Sequence, residues 1–205
     1  MDGILACECT QVADRSCGSF LSFGMKNDFP LSGAKQMLLE GGIRVPLILR
    51  WPNVLSAGKE SAIPISAMDL TATIAAAGGV LPPEDKPFDG VDIVPVLLGE
   101  TQLSQSRPLF FRRRDITFRQ NLNSIRQSAV RQGKWKYLRN YRKNDNEKYT
   151  ATLIDLGKDV AEQNDVSEAN PERFQEMSEL YESWEAEVAK TAVPFPVVSG
   201  EIRKE

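Results

Sequence analysis

The chain has 205 residues, 41% of them hydrophobic and 26% charged, with a formal net charge of −3; it is long enough to bury a core without metals or disulfides, and no run of about 18 apolar residues is present to span a bilayer. It contains no histidine, which excludes that residue as general base, proton shuttle or metal ligand and leaves any chemistry to Lys, Arg, Asp, Glu or a partner. The small net charge hides a partition, because residues 107–148 carry 13 basic and 3 acidic side chains while 1–106 carry 7 and 12 and 149–205 carry 5 and 13.

Such a +10 block either marks an anion-binding face or pairs with the acidic tail, and its spacing among alternating strand residues favours pairing. The opening "MDGILACECTQ" has no basic n-region and no adequate apolar h-region, so it does not read as a signal peptide. Cys7, Cys9 and Cys17 are odd in number and lack a second cysteine or histidine cluster, so they read as free thiols rather than a zinc site. Residues 1–32 read as mostly loop, broken by Gly18, Gly24, Asn27-Asp28 and Pro30.

"VPLILRWP" predicts a short buried strand of an α/β sheet, with Lys35 just upstream of it. "ISAMDLTATIAAAGG" predicts a helix: Ser66 and Asp69 have capping-box spacing, Ile65 can staple, Gly78-Gly79 ends it, and its alanines suggest close packing on the sheet. "VLPPEDKPFDGVDIVPVLLGE" is turn-rich, with Asp89-Gly90 as a turn and "IVPVLLG" as a short apolar piece. The composition turns polar at Thr101 to Arg107, which places a boundary between residues 1–105 and 106–205. Beyond it, "PLFFRR", "SAVRQGKWKYLRN" and "YTATLIDL" predict antiparallel strands, with Gly133-Lys134 as a hairpin turn. Asn170 as N-cap and Pro171 then open a helix whose Phe174, Met177, Tyr181, Trp184 and Val188 share one face.

"GAKQMLLEGGIRVPLILRWP" resembles a segment of the formylglycine-dependent, arylsulfatase-like sulfatases: Gly-Lys, then Glu-Gly-Gly-x-Arg-x-Pro, an apolar run and Trp-Pro. "AMDLTATIAAAGG", "FDGVDIVPVLLGE", "RPLFFR", "AVRQGKWKYL" and "LIDLGKDVAEQNDV" are similar to later strings of the same family, in the same order, over roughly residues 30–190. The resemblance implies part of an alkaline-phosphatase-like α/β fold at 1–105, followed at 106–205 by an α+β subdomain of antiparallel strands plus one helix.

The resemblance also implies hydrolysis of sulfate esters in a complete protein, on a sulfated small molecule or glycan. Lys35 matches the lysine that contacts the sulfate group and the leaving-group oxygen, where a fixed ammonium in a dry pocket stabilises charge developing on the bridging oxygen. Glu40 and Arg44, four apart and able to pair, read as scaffold. Arg112, in the arginine run 112–114, is the candidate at the substrate rim.

The family's calcium ligands include an Asp-Asn-Gly-Gly about twenty residues before this lysine. Asp14 is the residue at that distance here, but Arg15 puts a cation where an oxygen ligand is needed. None of the three cysteines begins a Cys-x-Pro-x-Arg, the source of the family's formylglycine nucleophile, and the family's active-site histidines are absent too. The chain therefore resembles the C-terminal part of a sulfatase and is expected to be inactive alone. Full-length relatives are typically periplasmic, extracellular or lysosomal. The competing class is a binding module, in which the +10 block holds a sulfated glycan or, with less support, nucleic acid.

Overall fold

The computed structural model describes residues 5–7 (backbone only), 30–35, 37–104, 106–113, 126–141 and 148–190. Along them run β1 (Leu5–Cys7), α1 (Glu40–Ile43), β2 (Leu47–Leu49), β3 (Lys59–Ser61), α2 (Ala67–Ala77), α3 (Val94–Leu98), β4 (Pro108–Arg113), β5 (Gln127–Gln132), β6 (Trp135–Tyr141), β7 (Tyr149–Asp155) and α4 (Pro171–Lys190). No helix among the described residues is long and apolar enough to cross a membrane.

The larger sheet is a four-stranded antiparallel meander in the order β4-β5-β6-β7. Its central hairpin turns on Gly133 and Lys134, since Gln132 pairs with Trp135. Gly133 has a φ of +60°, the positive value that a two-residue loop asks of its first position and that only glycine supplies without strain. Period-2 alternation then divides the strands between two faces. On one face Val130, Tyr137 and Leu153 pack with Met177 and Tyr181 of α4, and Phe110 stacks on Trp184 with centroids 4.8 Å apart. On the other, Ala129 and Leu138 receive Leu38, flanked by Leu39, Ile43 and Phe111. Both faces are covered, which is why four consecutive residues of β6, Lys136 to Arg139, are buried.

The helix α4 begins at Pro171, as its sequence predicts, and the Asn170 carbonyl accepts the Phe174 amide. Its stripe buries Met177 and Tyr181 completely and Phe174 and Trp184 in part. Tyr181 lies so deep that burial pushes its hydroxyl up to about 12.

The smaller sheet has three strands in the order β2-β1-β3, with β1 antiparallel to β2 and parallel to β3. A strand at Leu5–Cys7 departs from the loop expected over 1–32: its partners lie some forty to fifty residues away, and nothing local announces the pairing. Nor is β2 the buried strand expected of "VPLILRWP", because Ile48 is 68% exposed and Val45, just before it, 70%.

In α2 the Ser66 amide donates to the Asp69 carboxylate at 2.7 Å, the acid half of the predicted capping box. The helix does not lay its alanines on a sheet among the described residues; it buries Asp69 and Ala72 and holds the turn-rich segment that follows. Asp69 Oδ1 accepts the Val91 amide, the Thr73 hydroxyl accepts the Ile93 amide, and Arg107 grips Asp69 in a fork at 2.8 and 2.6 Å. Gly90 has to be glycine there, since a Cβ would stand 2.2 Å from the Met68 carbonyl. Burial pushes the Asp69 carboxyl up, but the Arg107 hydrogen bond and the Ser66 and Val91 amides outweigh it and hold the group below the usual carboxylate range.

Candidate functional site

Lys35 sits on a short loop that begins at Ser32 and is closed where the Gly41 amide donates to the Ser32 carbonyl at 2.7 Å. Inside it the Met37 amide reaches the Ala34 carbonyl at 2.9 Å, bracketing Lys35 in a turn. The two glycines of Glu-Gly-Gly form the underside. A Cβ on Gly42 would meet the Met37 carbonyl at 2.1 Å and the Ala34 carbonyl at 2.6 Å, and one on Gly41 would meet the Ser32 carbonyl at 2.6 Å. No side chain fits there, so the motif fixes the backbone of the lysine ahead of it.

Three attachments join this loop to the meander and to the segment after β7. At its start, the Ser32 hydroxyl donates to the Ala161 carbonyl at 2.5 Å and accepts from the Gln163 amide group at 3.0 Å. Midway, the Leu38 amide donates to Gln127 Oε1 at 2.9 Å, and Gln127 is itself held by Asn140. At its end, the Glu40 amide donates to Glu162 Oε2 at 2.5 Å.

Around that last contact lies a buried ionic cluster. Lys136 Nζ stands 3.1 Å from Glu40 Oε1 and 2.7 Å from Glu162 Oε1, and Arg131 reaches Glu40 Oε2 at 3.2 Å. The side chains of Lys136, Glu40 and Glu162 are at most 1% exposed. Each charge is partnered, as an interior of low dielectric requires. Burial nevertheless holds the Glu162 carboxyl above its ordinary range, with the Lys136 ammonium offsetting part of the cost. Glu162 also adopts a φ of +54°, a left-handed conformation uncommon for a side-chain-bearing residue.

This cluster corrects the expectation that Glu40 pairs with Arg44. Spacing of four places side chains together only on a continuing helix, whereas α1 ends at Ile43 and Arg44 is already extended, with φ −85° and ψ 109°. Glu40 turns instead to Lys136, 96 residues on. The sequence strings did contain Arg131, Lys136 and Glu162, in "AVRQGKWKYL" and "LIDLGKDVAEQNDV", but a charge in a strand or loop looks like surface unless its partner is known.

The Lys35 side chain is exposed, so the dry pocket expected around it is not supplied by the described residues. Arg112 is not brought to it. Arg112 shares the α4 face with Phe110 and lies 3.5 Å from Glu185, whereas Arg113, paired in register with Gln127, is on the face that carries the Lys35 loop. Asp14, Cys9 and Cys17 fall outside the described residues, and of Cys7 only the backbone is described. Among the described residues no three His, Cys, Asp or Glu side chains gather to hold a metal, and Asp14 lies outside them.

Among the described residues, six bases of the block are paired with acids. Arg107 pairs with Asp69, Arg112 with Glu185, Arg131 with Glu40, Lys134 with Asp155 and Arg139 with Glu182, besides Lys136 in the cluster. Arg139 is buried between the rings of Tyr149 and Tyr181, 4.4 and 4.7 Å from their centroids, and its Nε donates to the Tyr137 hydroxyl at 2.8 Å.

Comparison with known proteins places these features in context. The family described as N-sulphoglucosamine sulphohydrolase, C-terminal, matches residues 33–190. Human steryl-sulfatase is 47% identical over 78 residues, covering 38% of this chain and 13% of that protein. The N-acetylgalactosamine-6-O-sulfatase of Bacteroides thetaiotaomicron is 32% identical over 160 residues, covering 74% of this chain and 29% of that protein. Among solved structures, Ps i-CgsB in complex with k-i-k-neocarrahexaose superposes with a TM-score of 0.62 at 29% identity, over 77% of this chain and 32% of that one. The chain thus spans less than a third of the length of each.

Proposed function

We propose, from the premise that the chain belongs to the sulfatase family, that the complete protein hydrolyses a sulfate ester and that Lys35 contacts the sulfate and its leaving-group oxygen. The observation that carries this reading is the loop beneath Lys35. Gly41 and Gly42 press against the carbonyls of Ser32, Ala34 and Met37, so the backbone bearing the ammonium is held before any substrate arrives. Fixed placement is what charge stabilisation at a transition state requires, since a wandering ammonium would have to be reorganised during the reaction. Scission of the sulfur–oxygen bond leaves negative charge on the departing oxygen, and a compact cation suits both that oxygen and the tetrahedral group it leaves.

The 205 residues by themselves bind rather than cleave. They contain no Cys-x-Pro-x-Arg to supply a nucleophile, and Lys35 stands in water, which weakens its field. In this reading residues 1–105 belong to the sulfatase α/β catalytic domain. Their exposed apolar side chains, Val45, Ile48, Ile74, Val80 and Leu81 among them, are the surface on which the rest of that domain packs. Residues 106–205 form the antiparallel subdomain. The substrate class is a sulfated small molecule or glycan, in keeping with relatives named for a steroid sulfate and an amino-sugar sulfate.

The experiment is an assay of the purified chain on an aryl sulfate, with and without calcium, beside titration of inorganic sulfate into chain labelled at lysine. No turnover and a sulfate-dependent shift at Lys35 are expected. Calcium-dependent turnover, or a sulfate titration that leaves Lys35 unmoved, overturns the reading.

A further inference from the structure

We infer that Glu162, with Ser32 and the ion pairs around Lys136, forms a clamp by which the segment after β7 positions the Lys35 loop for its anion. The inference rests on the proposed role of Lys35 and adds the residues that act through it. The geometry is specific. Both ends of the loop are gripped within one short stretch, Ala161 to Gln163: the Ser32 hydroxyl at one end by the Ala161 carbonyl and Gln163, the Glu40 amide at the other by the Glu162 carboxylate. The loop is closed upon itself between those two points by the Gly41 to Ser32 hydrogen bond, so holding its ends holds its tip.

The stretch that does the gripping is shaped for it. Glu162 adopts its left-handed backbone, and this brings one carboxylate to two different partners, the Glu40 amide and the Lys136 ammonium. A lone hydrogen bond from a backbone amide needs no buried ion pair to sustain it. Here the acceptor is a full charge, held in place by Lys136, which is in turn shared with Glu40 of the loop itself. The cluster therefore links the first turn of α1, the strand β6 and the 161–163 stretch in one charge-assisted network, and such bonds are shorter and stronger than neutral ones. Because Lys136 keeps Glu40 when Glu162 is removed, loss of Glu162 frees the loop without leaving an unpaired cation in the core.

The test uses the full 205-residue chain, its Glu162→Ala, Glu162→Gln and Ser32→Ala variants, and Leu153→Ala as a core control away from the loop. Amide hydrogen exchange is followed at Leu38, Glu40 and Gly41 and, for comparison, at Val130 and Tyr137. Inorganic sulfate is titrated while the Lys35 side-chain signals are observed. In Glu162→Ala, exchange at Glu40 and Gly41 rises about tenfold or more, as expected for a lost charge-assisted bond, with Val130 and Tyr137 little changed. Sulfate affinity at Lys35 falls about three- to tenfold as the competent loop becomes less populated. Ser32→Ala moves both readouts in the same direction, Glu162→Gln recovers part of each because its amide oxygen still accepts from Glu40, and Leu153→Ala lowers stability without singling out the loop.

Unchanged loop exchange in Glu162→Ala and Ser32→Ala, or exchange that rises equally throughout, overturns the clamp. So does a sulfate affinity identical in every variant. If sulfate leaves Lys35 unmoved in the unaltered chain while loop exchange responds as described, the clamp on the loop stands and the sulfate role of Lys35 falls.

Discussion

The two halves of the described molecule solve the problem of burial differently. From Pro108 onward, a meander covered on both faces places Val130, Tyr137, Leu153, Met177 and Tyr181 at 1% exposure or less. Between Val45 and Leu98, by contrast, Ile48, Ile74, Val80 and Leu81 stand open to solvent. Apolar content alone does not account for this, because "VPLILRWP" is as apolar as any strand of the meander. What differs is whether a covering layer is encoded nearby. α4 supplies one for the meander within about twenty residues of β7, whereas nothing described covers β2 or the outer side of α2. Besides the apolar seat of Leu38, Leu39 and Ile43 on the meander, the first half is held by ion-pair anchors: Asp69 to Arg107, and Glu40 to Lys136 and Arg131.

The contrast predicts where mutation is costly. The largest effect is expected for Lys136→Met, which deprives buried Glu162 of its countercharge and leaves Glu40 only Arg131; unfolding in urea should show a loss of about 3–5 kcal/mol. Leu153→Ala, in the core beneath α4, should cost about 2–4 kcal/mol by the same measurement through its transfer and cavity terms. Asp69→Asn comes next, at about 2 kcal/mol near neutral pH, because the fork to Arg107 is broken.

The pH dependence of that last loss follows from the sign of the shift. The Asp69 carboxyl is lower in the folded chain than in the unfolded one, near 3.9. Its contribution is fully present above about pH 5 and disappears as pH falls through the folded value. The gap between the unaltered chain and Asp69→Asn should therefore close in acid; a gap constant from pH 7 to 2 would show that the carboxylate charge is not what anchors Arg107. The smallest effect belongs to the open face. Ile48→Ser should change stability by no more than about 0.5 kcal/mol while reducing self-association in light scattering. With Arg107, Arg112, Arg131, Lys134, Lys136 and Arg139 already paired with acids, binding to heparin and DNA should be weak at physiological salt, and a steep salt slope shared by both polymers would restore the polyanion-binding reading.

What the sequence reveals follows the same division. The strands at 108–113, 127–132, 135–141 and 149–155 and the helix from Pro171 emerge from alternation, a glycine turn and a three–four stripe, because each signal is completed within a few residues of itself. Lys35 and Glu-Gly-Gly stand out only through the family resemblance, and the close backbone approaches at Gly41 and Gly42 supply a physical reason for the glycines. The ionic cluster could not be read. Arg131, Lys136 and Glu162 have the composition of a solvated face, and only the register of β5 against β6, with the loop laid across it, turns them inward. β1 is silent in the sequence for a related cause, since three residues carry no period and the strand is defined by its partners.

The span of the Ser32 and Glu40 attachments has a consequence for how the chain comes together during synthesis. Every strand of the meander finds its neighbour next in sequence, so that sheet can assemble progressively as it leaves the ribosome. Ser32 must wait for Ala161, 129 residues later, and Glu40 for Glu162, 122 residues later. The segment carrying Lys35 thus leaves the ribosome well before the residues that fix its shape.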